Sequence, residues 1–457
     1  MTRISRTSRF SMLLLMLTAS LSALANPHEY KLANGLKVIV KEDHRAPVVV
    51  SQIWYRAGSM DEFNGTTGVA HVLEHMMFKG TPSVPAGEFS KLIAAAGGRD
   101  NAFTSRDHTA YFQQLHKSRL ALSFKLESDR MQHLQLTDQE FAKEIKVVME
   151  ERRWRTDDKP QALVYEQMSA TAFQAHPYRR PVVGWMNDLE HMTGQDARDW
   201  YQRWYAPNNA VLVVVGDVEP QAVFALAQKY FGPAKPKLLP ERKPQQEPVQ
   251  QGIRRINVKA PAQLPYLLMG YHVPTLKNPE QDWEPYALEM LGGVLDGNDS
   301  ARLNKTLVRD SRIASSAGAS YDGIARGPGM FLLDGTPSEG KSVAELEAAM
   351  RVQIENVKRD GVTADELQRV KAQVIAAQVY QQDSTFYQAM QIGEFETAGL
   401  SYKALDTRLA KLKQVTAAQI QAVAKKYLID DSLTVATLDP QPLDGKQPMA
   451  PPKGLHH

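Results

Sequence analysis

Tyr205-Ala-Pro-Asn-Asn-Ala-Val-Leu-Val-Val-Val-Gly-Asp217 reads as a turn feeding a strand: a Pro and two Asn, then an unbroken aliphatic run. The same grammar returns 222 residues later, where Tyr427-Leu-Ile-Asp-Asp leads into Ser432-Leu-Thr-Val-Ala-Thr-Leu-Asp439. A helix-like stretch that opens on a Thr, Thr193 or Thr416, precedes each strand. Further upstream, Thr137-Asp-Gln-Glu140-Phe141 pairs with Thr363-Ala-Asp-Glu366-Leu367, 226 residues on. Both carry the Thr and Glu of a capping box at the head of a long helix. Two matches in the same order at nearly the same offset indicate an internal duplication.

Each half mixes strand-like and helical segments. Residues 38–40 and 48–54 read as strands, and residues 69–78 and 90–96 as helices. The expected class is α+β, with helices laid on a largely antiparallel sheet in each of two related domains. Residues 232–251, GPAKPKLLPERKPQQEPVQQ, have the composition of a linker. The expected organisation is a domain over 26–232, a linker over 233–252, a second domain over 253–440 and a Pro-rich tail over 441–457. Ahead of these lies a leader. Arg3, Arg6 and Arg9 precede a short apolar run, and Ala23-Leu-Ala25 has the small-x-small pattern of a signal peptidase site. The expected product starts near Asn26, is exported, is placed in the periplasm and keeps no membrane span. The competing reading is an uncleaved anchor.

Taking the leader's three Arg from the 54 basic residues leaves 51 against 51 acids, so the formal net charge falls to zero. That argues against a nucleic-acid partner, which would leave a net basic footprint. The chain has no cysteine, so any metal site must be built from His, Asp and Glu.

Such a site is suggested by His71-Val-Leu-Glu74-His75, inside Gly68-Val-Ala-His-Val-Leu-Glu-His-Met-Met-Phe78. At helical spacing residues 71, 74, 75 and 78 share a face, and the rest of the segment is apolar, as in a buried helix. Two imidazoles four residues apart reach one zinc ion, and the Glu between them reaches its water. H-x-x-E-H is the inverted zinc-peptidase motif. The competing reading is a buried His pair satisfied by hydrogen bonds. A third ligand is sought on the helix opened by Thr137, whose apolar stripe is Phe141, Ile145 and Val148. Glu144 and Glu151 lie on that side, two turns apart, while Glu150 points away. Glu151 suits a ligand and Glu144 a carboxylate that orients a ligating His. The alternative pairs both with Lys143 and Arg152 of the same helix. The second half places Val370, Ala377, Tyr286 and Met290 at the positions of Glu144, Glu151, His71 and His75. One half carries the site and the other does not.

With these residues the chain resembles the pitrilysin and insulinase family of zinc peptidases, M16, and within it the short-chain branch that includes the mitochondrial processing peptidase β subunit. The family places its ligand Glu about 76 residues after the second His, and Glu151 follows His75 by 76. Further matching stretches are Gly97-Gly-Arg-Asp-Asn101-Ala102-Phe-Thr104, His176-Pro-Tyr178 with Pro181 and Gly184, and Tyr205-Ala-Pro-Asn-Asn209. The resemblance implies the LuxS/MPP-like metallohydrolase fold in each half. It implies one Zn2+ per chain on His71, His75 and Glu151, with Glu74 as general base on the zinc-bound water. It implies that Asn101 and Ala102 lie on an edge strand to which a peptide substrate adds as a further strand. It implies a clamshell of two such chains.

One stretch departs from the family pattern. Self-sufficient members carry an Arg and a Tyr seven residues apart in the second half, and here Val308 and Ser315 stand in their place. The expectation is therefore a zinc-bearing subunit whose homologous partner supplies the Arg/Tyr pair, or a homodimer. The alternatives are a non-catalytic scaffold or binding subunit of the same fold, and a hydrolase of a non-peptide substrate.

Overall fold

The computed structural model describes residues 27–443. The leader, most of the Pro-rich tail and His456-His457 lie outside the described residues. Two sheets organise the chain. The first has the order β1 (His28–Lys31), β2 (Lys37–Glu42), β6 (Ala210–Gly216), β3 (Val48–Tyr55), β5 (Thr109–His116), β4 (Arg99–Thr104). The second has the order β7 (Arg254–Pro261), β11 (Leu433–Gln441), β8 (Tyr266–Val273), β10 (Gly329–Pro337), β9 (Ala314–Tyr321). Apart from β1 the two orders are the same. In each, the last strand lies parallel to the first and antiparallel to the next, so a single parallel pair interrupts an otherwise antiparallel sheet. The duplication read in the sequence is thus a duplication of topology, and the class is α+β with two homologous domains.

The aliphatic run at 210 explains how the halves join. Successive side chains of a strand face opposite sides, so a strand with no polar alternation needs cover on both. Leu212 and Val214 face the first core, formed with helices of their own half. Val211, Val213 and Val215 face the other way, onto Ala389 and Ile392 of the helix Thr385–Ala398, which belongs to the second half. The exchange is mutual. The helix Pro160–Ala172 of the first half lays Val164 and Met168 on Leu268, Ala436 and Leu438 of the second sheet. Gly393 makes the first of these contacts possible, because a Cβ there would lie 2.0 Å from the Trp54 ring. Each sheet therefore borrows its outer cover from the other half.

Polar contacts reinforce the seam. Lys37 Nζ lies 2.9 Å from Glu396, and Arg326 bridges Asp61 at 2.8 Å while its N–H donates to Asp107 at 2.8 Å. The segment between Gly232 and Arg254 has no helix or strand, yet it is pinned to the surface. Arg242 reaches Asp61 at 2.7 Å, and Glu247 accepts from the backbone N–H groups of Gln174, Ala175 and His176 at 2.7–2.9 Å. Trp200 and Trp204 are buried in the first core. Among the described residues, no helix is long and apolar enough to cross a membrane.

Candidate metal centre

The motif helix spans Val69–Met76, and all its residues are buried. It starts at Gly68, whose φ of 89° is left-handed. A Cβ on Gly68 would lie 2.5 Å from the Val183 carbonyl oxygen, and one on Gly184 would lie 2.3 Å from that of Thr67. This backbone contact sets where the helix begins. The second helix, Asp138–Arg152, begins at Thr137, whose hydroxyl accepts from the Glu140 N–H at 3.2 Å. The return bond of the expected capping box gives way to ion pairs. Glu140 turns to Lys143 at 2.6 Å, and its counterpart Glu366 turns to Arg302 at 2.7 Å. Half-buried carboxylates with a cation in reach gain more there than from one N–H.

Packing of the two helices brings the three candidate ligands together. His75 Nε2 lies 3.2 Å and His71 Nε2 3.6 Å from the same Glu151 oxygen. One donor atom each from His71, His75 and Glu151 fall within 4.8 Å of one another. The two rings sit at 77° with centroids 4.8 Å apart. Glu151 has no exposed surface, and both His are buried. Glu144 lies behind, 3.4 Å from His75 Nδ1 and 2.5 Å from Lys79. The cations of the same helix are engaged elsewhere: Lys143 with Glu140, and Arg152 with Glu166 and the Gly184 carbonyl, both at 2.8 Å. Glu151 instead meets Arg155, 2.8 Å away, where the helix loosens into a π turn over Arg153–Asp157. Glu150 points away and pairs with Arg153.

These contacts set the charges. Burial pushes the Glu74 carboxyl up to about 7, against the pull of His75 and of the Thr104 hydroxyl, which donates to it. Burial also acts to raise Glu151, but the bond from His75 and the nearby His71 and Arg155 outweigh it and hold the carboxyl at about 2. A carboxylate kept ionised in a buried site, beside one that titrates near neutral pH, suits the first to holding a cation and the second to accepting a proton.

Asn101 and Ala102 lie on β4, which pairs with β5 and is the terminal strand of the first sheet among the described residues. Thr104, on the same strand, is the residue that bonds Glu74. It links the terminal strand to the site. Thr104, Lys79 and Arg155 were not singled out in the sequence. Arg155 stands one turn beyond Glu151 and so had a local signal, whereas Thr104 is 30 positions from its partner and had none.

In the second half the helix Glu284–Leu295 packs on Ala364–Gln381 as the two ligand helices pack on each other. Tyr286, Met290 and Val370 fill the core there. Val308 packs against that core, and Ser315 donates to the Thr336 carbonyl at 3.2 Å.

Two family descriptions match the chain: Insulinase (Peptidase family M16) over residues 37–184, and Peptidase M16 inactive domain over residues 191–374. The chain belongs to peptidase family M16. A zinc protease, PqqE, of Helicobacter pylori is 35% identical over 369 residues, covering 79% of this M16 chain and 82% of the relative. A solved protease structure from Helicobacter pylori superposes with a TM-score of 0.86 at 30% identity, covering 91% of this chain and all of that one. The periplasmic protease PqqL of Escherichia coli shares the fold at 18% identity and a TM-score of 0.78, and this chain matches 48% of its length. The half that matches the inactive-domain description is the half that places Tyr286 and Met290 where the other places two His.

Proposed function

We propose that this chain is a zinc-dependent endopeptidase acting on peptides or unfolded segments. The carrying observation is that His71, His75 and Glu151, from two helices, offer donor atoms within 4.8 Å of one another in a buried site. Two imidazoles and one carboxylate suit zinc, whereas calcium and magnesium prefer all-oxygen sites. His71, His75 and Glu151 would hold the ion, which when bound polarises a carbonyl and acidifies water.

The rest follows from the chain's own groups. β4 stands at the end of its sheet, so a substrate adds there as an extended strand and lies along Asn101 and Ala102. Glu74, on the same helix face as the two His, takes the proton of the attacking water and passes it to the leaving amine. Thr104 holds the accepting carboxylate in place from the strand that the substrate pairs with. Glu144 fixes the His75 ring through Nδ1.

The test is peptide hydrolysis with zinc content measured in parallel. Glu74→Gln should keep its zinc and lose about 10²–10⁴-fold in rate. Hydrolysis at the parental rate by that variant would refute the assignment. Zinc uptake without hydrolysis, even in the presence of a partner, would support the scaffold reading instead.

With Val308 packed on the core and Ser315 bound to a carbonyl, a homologous partner subunit supplies the Arg/Tyr pair, or the chain acts as a homodimer without it. High activity of the isolated chain would refute the need for a partner. The leader directs export to the periplasm, with cleavage after Ala25. Amino-terminal sequencing of the protein from cell fractions decides that point.

A further inference from the structure

We propose that Glu62 is a positioning residue for the metal centre: its carboxylate closes the bare N-terminus of the motif helix and offsets the positive end of that helix beside the ion. The inference rests on the zinc reading above.

A helix begins with N–H groups that have no partner within it. A Ser, Thr, Asp or Asn side chain at the cap position normally meets them. Here the cap is Gly68, which has no side chain. Glu62, from the turn that follows Ser59–Asp61, does the work from outside. One of its oxygens accepts from the Gly68 N–H at 2.8 Å, and the other from the Ala70 N–H at 2.9 Å. The carboxylate is 2% exposed.

The segment between Glu62 and the helix is held as well. Arg180 donates to the Glu62 backbone carbonyl at 2.5 Å. Asp188 accepts from the Gly65 and Thr67 N–H groups at 3.1 Å and from the Thr67 hydroxyl at 2.6 Å. The Trp185 N–H donates to the same hydroxyl at 3.0 Å. Behind Trp185 lies Gly184, whose carbonyl binds Arg152, the neighbour of Glu151. The frame that seats the first turn of one ligand helix is thereby tied to the end of the other.

The choice of a charged residue is the informative part. A neutral side chain could accept the same hydrogens. A buried carboxylate costs much more, and Glu62 makes no salt bridge among the described residues, although the Arg180 guanidinium on its backbone carbonyl also favours its charge. Its charge also offsets the helix field. The N-terminal end of a helix carries about half a positive charge, and Cα–Cβ bonds lean toward that end. His71 is the third residue of the helix, so a dication held by its ring would feel the positive end of the first turn. The negative charge of Glu62 at the same end cancels that repulsion.

The experiment uses the full chain, stripped of metal and titrated with zinc against a chelator of known affinity. Thermal unfolding of the metal-free protein is followed alongside. Burial pushes the Glu62 carboxyl up to about 8 against its two amide bonds, so the titration is run near pH 9, where the charge is present. Glu62→Gln keeps the shape and removes the charge. It should weaken zinc binding about tenfold, the effect of a charge at a partly buried helix end. Glu62→Asp and Glu62→Asn, equal in size and unequal in charge, form a second pair, and the Asp variant should bind zinc more tightly. A merely structural role lowers the metal-free melting point and leaves zinc affinity within twofold of the parent, for both comparisons. That result overturns the proposal. If the parent chain takes up no zinc, the zinc reading fails. If the parent binds and all the variants match it, this inference alone fails.

Discussion

Replacing Arg152 by Met should cost more than any surface substitution in this chain, because of what it leaves behind. The Arg152 guanidinium meets both oxygens of Glu166, at 2.8 and 3.0 Å, and donates to the Gly184 carbonyl at 2.8 Å. Both charged side chains are only 6% exposed. Removing one member of such a pair strands the other, at a cost of about 3–5 kcal/mol. The abandoned Gly184 carbonyl adds about 1 kcal/mol. A loss of about 4–6 kcal/mol is thus expected in urea unfolding of the metal-free protein. The Arg152→Met, Glu166→Leu double variant should recover most of it, since an apolar pair of similar volume buries without a charge to solvate. The single variant should also weaken zinc binding, because Arg152 anchors the helix end that presents Glu151 and holds the loop against Gly68. A single-variant loss below about 1 kcal/mol, or a double variant no better than the single, would show that the pair is not the strut described.

Three further outcomes are expected. Thr104→Val removes a donor that favours the ionised Glu74, so the carboxyl should rise and the acidic limb of the kcat/KM profile should move up by about one pH unit; an unmoved limb would separate Thr104 from the proton acceptor. Gly393→Ala drives a methyl into the Trp54 ring at 2.0 Å and should cost about 3 kcal/mol in urea unfolding, splitting the seam between the halves. Glu394 lines a cavity of about 820 Å3 between the halves, where burial and Asp322 push its carboxyl up to about 7. A native carboxyl raised above its unfolded value binds protons more tightly than the unfolded chain does, so it lowers stability as pH rises from about 4.5 to 7 and keeps it lowered above. Glu394→Gln should therefore stabilise the protein by about 1–3 kcal/mol at pH 8 and leave it unchanged at pH 4, as read from thermal unfolding at both pH values.

Much of the architecture was open to reading because it repeats. A turn-and-strand at 205–217 that returns at 427–439 needs no contact map, and the two sheets carry the same strand order. The spacing of the candidate ligands was legible for a local reason. Residues four apart on a helix share a face, so His71, Glu74 and His75 announced one another, and the apolar stripe around Glu144 and Glu151 marked two carboxylates that a core helix does not need. The linker misled in one respect. Its Pro- and Gln-rich composition suggests a free tether, but Arg242 and Glu247 fasten it to the first half.

The chain's own order of residues thus determined the duplication, the α+β class and which half offers ligand atoms, since each of these is a pattern along the backbone or within one helix. Tertiary structure alone decided that the halves trade the helices Pro160–Ala172 and Thr385–Ala398. It alone decided that Thr104 meets Glu74, that Glu62 caps a helix six residues ahead, and that Arg152 turns to Glu166 instead of Glu151. The physical reason is the same throughout. Periodicity tells a residue which way to face, but a buried charge or an uncovered sheet face is satisfied by whatever the fold brings near, and nothing local records what that will be.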